Sequence, residues 1–226
     1  MGRRWYDRAM RSRPFPIVVV IAFAPATVLA APASAQPGDD TTSSMRAEML
    51  GYYHGEQLSA YVVGGLGLAA AGTGAYLVTR DGDLARGLGW SFVALGSLEV
   101  IGAIGYALAV DGEIDHYDAA LSRDPAAYRD EEAAHIEGTT SRFVWYRAIE
   151  IGLVVVGAAM VTYGWLSERD AWTGAGIGIA SLALPLVVID TINDARAHAY
   201  LESVRDFQPA VAIRPDGVHL TVRGRL

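Results

Sequence analysis

The chain contains no cysteine, which excludes disulfides, thiolate metal sites and cysteine nucleophiles. Lysine is also missing: all 18 basic residues are arginine, a usage expected of GC-rich bacterial coding. Charge is sparse at 19% of residues, against 52% apolar. The apolar residues gather in long blocks, where a water-soluble protein of this length would spread them over shorter amphipathic runs. Basic surface is scarcer still beyond the N-terminal segment, where 13 arginines face 24 acids. Nucleic acid is thereby excluded as a partner, because binding it requires cationic groups to neutralise phosphates.

The N-terminal segment has its own pattern. Five arginines (Arg3, Arg4, Arg8, Arg11 and Arg13) precede an apolar run at 17–30, and Ala33-Ser34-Ala35 follows as a small-x-small cleavage pattern. This is the three-part plan of a secretory signal peptide, expected over 1–35; an uncleaved anchor is the alternative. Residues 36–56 are expected to form a flexible extracytoplasmic linker, since the stretch to residue 50 is rich in Pro, Gly, Asp, Ser and Thr and lacks apolar periodicity.

A membrane domain is expected over 57–194. Four blocks, about 57–79, 87–110, 143–166 and 172–194, are each long enough to cross a hydrocarbon core, which takes ~20 helical residues. Aromatic residues stand near their ends, as interfacial anchors do: Tyr61, Tyr76, Trp90, Tyr106, Trp145, Tyr163, Trp165 and Trp172. The breaks inside each pair are a few polar residues long, so the pairs are antiparallel hairpins. The expected fold is an all-α four-helix transmembrane bundle of two hairpins, with a short C-terminal β-hairpin in the tail 195–226. The hairpins resemble each other around Gly87-Leu88-Gly89 and Gly174-Ala175-Gly176, which suggests a parallel repeat. Gly89, Gly96 and Ala103 recur every seventh residue, and such small residues let helices approach closely in lipid. A homo-oligomeric face is the other use of those residues.

The signal segment sets the expected orientation: a bacterial inner (plasma) membrane protein, multi-pass, with the acidic loop 111–142 and the C-terminus outside the cytoplasm. The arginines of the short turns (Arg80, Arg86 and Arg169) lend this orientation little weight. The tail from Ala210 to Val222, around Arg214-Pro215-Asp216-Gly217, reads as two strands and a turn.

Three carboxylates lie within the spans. A charge at the bilayer centre costs roughly 2.5–3.5 kcal/mol on insertion scales, so such groups face the bundle interior, pair, or carry a proton. Glu99 sits near the middle of its span with no local base. Glu150 has Arg147 three residues earlier on the same helix face, the expected ion partner. Asp190 lies near a span end, close to Asn193 and Asp194. In the loop, Asp124-Pro125 is a helix start, and that helix is expected to run to about Glu137 and stop at Gly138; within it Glu131 and His135 share an i,i+4 spacing, a weak metal-ligand candidate without a specific motif. No phosphate-binding glycine loop, dinucleotide fingerprint or nucleophile elbow occurs, and no cofactor is implied. These features favour a non-enzymatic inner-membrane protein that binds an envelope protein partner through its loop and tail. The alternatives are a small proton-coupled transporter using Glu99 and an envelope enzyme.

Overall fold

The structure, a computed structural model, describes residues 41–209. The chain divides into two units, Met1–Ala33 and Ser34–Leu226, and the described residues all belong to the second. They form four helices: α1 (Thr41–Val78), α2 (Asp83–Arg123), α3 (Pro125–Leu166) and α4 (Asp170–Asp206). All four are long and apolar enough to cross a membrane. The expected β-hairpin at 210–222 lies outside the described residues.

Each helix is longer than a bilayer needs. At 37 to 42 residues and a rise of ~1.5 Å each, they run about 55–63 Å, against a hydrocarbon core of ~30 Å. The surface shows where lipid belongs. Exposed large apolar side chains run from Leu58 to Tyr76 on α1, Leu84 to Leu108 on α2, Val144 to Leu166 on α3 and Trp172 to Ile192 on α4. None occurs at 41–57, 109–143 or 193–209. The bundle therefore has an apolar belt and, beyond it, a helical head with a polar surface. The two tight turns, 79–82 and 167–169, lie at the opposite, hairpin end.

Two segments differ from their expected form. Residues 41–56 are the first turns of α1, not linker. Met45, Met49, Tyr52, Tyr53 and Glu56 recur every three or four residues and are buried in the head, and that stripe holds the segment helical. Likewise α3 does not stop at Gly138 but continues to Leu166. A mid-helix glycine costs about 1 kcal/mol against alanine, and buried Ile136 and Phe143 on either side offset it. At the start of α3, Asp124 caps the helix, accepting from the backbone N–H groups of Ala126 and Ala127 at 3.2 and 3.1 Å. Pro125 follows at the first helical position, where its missing N–H costs nothing.

Burial repeats every seventh residue on α1, α2 and α3, and on α4 with half-buried Asp190 completing the row. The buried rows are Tyr53, Ala60, Gly67 and Gly74 on α1, and Gly89, Gly96, Ala103, Val110 and Tyr117 on α2. On α3 they are Ile136, Phe143, Glu150, Gly157 and Gly164, and on α4 Gly176, Ala183, Ala197 and Val204. Seven is the period of helices that stay in contact along their length. The residues grade in size, from glycine at the hairpin end to tyrosine, valine and isoleucine in the head.

Helices at the hairpin end meet backbone to backbone. A Cβ on Gly67 would stand 2.6 Å from the carbonyl oxygen of Gly96, and one on Gly157 would stand 2.8 Å from that of Gly176. α2 and α4 cross between the hairpins: Gly174 lies on the backbone of Leu84, Gly87 on that of Ala171, and Gly178 against Ser91. The steps from Leu84 to Ala171, Gly87 to Gly174 and Ser91 to Gly178 are equal along the chain, so the crossing is close to symmetric.

This seam makes a test. Gly67→Leu is expected to lower stability by about 1–3 kcal/mol through overpacking. Gly65→Leu, whose Cβ meets nothing within 4 Å, should leave the melting temperature in detergent nearly unchanged. Equal melting of the two variants would refute the backbone contact.

Candidate functional site: polar groups inside the bundle

Because the helices spread from the hairpin end, their interior widens, and the polar groups occupy the wide part. Deepest is Glu99 on α2. It is half-buried, its Cβ lies beside Gly67, and it makes no hydrogen bond or ion pair with the described residues. On α3 and α4, Glu150 and Asp190 are neighbours across the helix seam. Glu150 is buried, and one of its oxygens has no partner.

Arg147 does not hydrogen-bond Glu150. Its Nη2 donates to Asp194 Oδ2 at 2.8 Å, across to α4. The i,i+3 spacing put Arg147 on the right face, but a long guanidinium reaches the neighbouring helix as easily as its own. His198 Nδ1 lies on the same Asp194, 3.1 Å from Oδ1.

The head side of this layer is built around Glu56, which sequence reasoning missed. Its side chain is 1% exposed. Tyr106 on α2 donates to its Oε2 at 2.5 Å, and Arg196 Nη1 on α4 stands 3.8 Å from Oε1. Gly55 leaves room for that guanidinium, since any Cβ there would run into it. Ser59 Oγ donates to the side-chain oxygen of buried Asn193 at 2.8 Å. Four of the five buried polar atoms without a hydrogen-bond partner among the described residues belong to this layer: Glu56 Oε1, Arg147 Nε, Glu150 Oε2 and Arg196 Nη1.

The fifth is Glu132 Oε2, at the centre of the head. Glu132 is fully buried. Its other oxygen accepts from Tyr53 at 2.8 Å and Tyr200 at 2.9 Å. Tyr200 thereby spends its one proton, so Tyr128 donates to Tyr200 at 2.8 Å. Tyr52 stacks on Tyr200 with ring centroids 4.5 Å apart. Burial pushes the Glu132 carboxyl up to about 7, against the hydrogen bonds from Tyr53 and Tyr200 that pull it down. A lone glutamate in an acidic stretch carries no mark of burial, so this residue was not singled out from sequence. The tyrosines at helical spacing, Tyr53 and Tyr200, were the available signal.

The loop candidates separate. Glu131 pairs with His116 at 2.8 Å, and His135 lies 3.5 Å from Glu113. Both pairs bridge α2 and α3, with the Tyr117 ring between the two imidazoles. Among the described residues no group of three His, Asp or Glu side chains converges as a metal site. Comparison with family models, curated proteins and solved structures finds no match to this chain. The arrangement must therefore be read from its own chemistry.

That chemistry is structural in the head. Other surface pairs close two further seams: Arg46 to Asp118 at 2.6 Å between α1 and α2, and Arg205 to Glu137 at 2.6 Å between α4 and α3. Tyr53→Phe removes one donor to a buried carboxyl. It is expected to cost about 1–3 kcal/mol, read as a lower melting temperature. Tyr61→Phe, exposed in the belt, is the neutral control; indistinguishable melting would show that the Glu132 contact contributes nothing.

Proposed function

We propose that this four-span helical membrane protein is a non-enzymatic scaffold that holds a rigid helical head at the membrane surface for a protein partner. One observation carries the reading: all four helices pass unbroken from the apolar belt into a head with its own buried core. A surface built that way is fixed in shape relative to the bilayer, as a docking platform requires. The N-terminal export pattern supports a head outside the cytoplasm, at a bacterial inner membrane. The near-symmetric α2–α4 crossing supports reading the two hairpins as a parallel repeat.

The docking place we favour is the head seam between α1 and α4. A groove runs there with Met45, Ala199 and Phe207 at its floor and Glu48, Glu202 and Asp206 on its walls. No ion pair closes it among the described residues. Its chemistry suits a basic segment with an apolar side. The cysteine-free chain allows single-cysteine crosslinking in the intact cell. Ser44→Cys and Ser203→Cys, beside the groove, should capture one defined protein, and Glu202→Arg should abolish the capture. Capture no different from that of an Asp115→Cys control, on the α2 surface, would count against the reading.

The second reading, a proton-coupled carrier, keeps one supporting observation. It is the nearness of Glu150 and Asp190 inside the belt, not Glu99, which makes no hydrogen bond or ion pair among the described residues. Against it, the depression lined by Gly64, Leu68 and Ile104 and the one lined by Met45 and Phe207 are open surface grooves, and the hairpin end is closed by glycine packing. Purified protein in liposomes is expected to show no proton flux under an imposed gradient. Flux abolished by Glu150→Gln would reverse the order of the two readings.

A further inference from the structure

The head core has a polar centre. Beyond the belt, a helical platform of this kind needs only apolar side chains to hold together. Instead α3 inserts Glu132, 0% exposed, at the meeting point of four helices. Tyr53 from α1 and Tyr200 from α4 donate their hydroxyls to it, and Tyr117 from α2 lies near it. Tyr52 on α1 and Tyr128 on α3 stand behind these. The charged or titratable group facing it from α2 is Glu113, itself 3.5 Å from His135 on α3. His116, Glu131 and Arg142 lie beyond that pair, and Glu48 on α1 bears on Tyr128. None of the groups that bear most on Glu132 is a cation.

We propose that Glu132 is a proton-operated latch: protonated, it lets the head close around it, and ionised, it loosens the packing of the four helices there. A neutral carboxyl keeps the two hydroxyls that Oε1 accepts and brings no net charge into the core. An ionised one would leave a full charge there, with Oε2 lacking a hydrogen-bond partner and no counter-ion beside it among the described residues, a state far costlier than a neutral buried carboxyl. The seam most affected is that between α2 and α3. Its two clasps are the His–Glu pairs His116–Glu131 and His135–Glu113. Burial already holds His135 below its ordinary value, so that clasp is weak near neutrality.

The sign follows from linkage. The Glu132 carboxyl is raised from 4.5 in the unfolded chain to about 7 in the head. Its contribution is therefore complete below about 4.5 and is lost as pH rises through about 7. The head closes in acid and opens in mild alkali. This rests on the scaffold reading only for its purpose: a pH-gated head is a pH-gated docking surface. Its test needs no partner, so failure to capture one leaves the latch standing.

The test is hydrogen–deuterium exchange on the intact protein in lipid nanodiscs, at about pH 5.5 and about pH 8.5, expressed as protection factors to remove the intrinsic pH dependence. Protection of the buried head amides near Tyr53, Leu121, Ile136 and Leu201 is expected to fall about tenfold or more at the higher pH, while belt amides stay constant. Glu132→Gln, uncharged throughout, should give equal head protection at both values. A His116→Gln/His135→Gln double variant should keep the response, since the carboxyl is its source. Equal protection at both values in the native protein overturns the latch, as does a response that persists in Glu132→Gln and vanishes in the histidine variant. Should Glu132→Gln not fold, Glu132→Met takes its place and the native measurement still decides.

Discussion

The bundle is governed by how closely its helices approach at the hairpin end. Glycine faces backbone at Gly67 and Gly96, Gly74 and Gly89, and Gly157 and Gly176, so neither helix of a pair has side chains to hold the other away. In lipid, no hydrophobic force drives helices together, and contact area must come from close backbone approach. With the glycines at one end and progressively larger residues along the same seven-residue rows, the four helices are pinned at the hairpins and spread toward the head. The taper is written in side-chain volume.

Spreading creates the interior that the polar groups occupy. Where the gap is narrow, little beyond hydrogen fits between the helices. Where it widens, Glu99, then Glu150 with Asp190, then Glu56 with Tyr106 and Arg196 find places. At the widest level five tyrosines and Glu132 fill the core. Burying a carboxylate in either setting is expensive without hydrogen bonds. The arrangement answers that cost with hydroxyls in the head and with interhelical contacts in the belt. The surface divides along the same axis, since the large apolar side chains are exposed only where lipid surrounds them.

Much of this was legible beforehand. Span length and hydropathy depend on local composition alone, so four blocks and two hairpins could be read directly. The seven-residue row was visible on α2, where Gly89, Gly96 and Ala103 stand out against larger neighbours. It was hidden on α3, where Glu150 interrupts the small residues. The first turns of α1 were misread as linker because Thr41 to Ser44 look like a polar connection; only the burial of Met45 and Met49 in the head core makes them helical. Gly138 looked like a stop for the same reason, as glycine's local preference is overridden by burial of Ile136 and Phe143.

Sequence alone determined that this chain belongs in a bilayer, crosses it four times, and carries acids where acids are costly, because each of those properties is additive along a short stretch. Tertiary structure decided which acids matter. Arg147 went to Asp194, Glu131 and His135 went to different partners, and Glu56 and Glu132, unremarkable in the sequence, became the buried ones. Partner choice among long side chains depends on which helix lies across the interior and at what height. That is set by the taper of the whole bundle and by no local spacing.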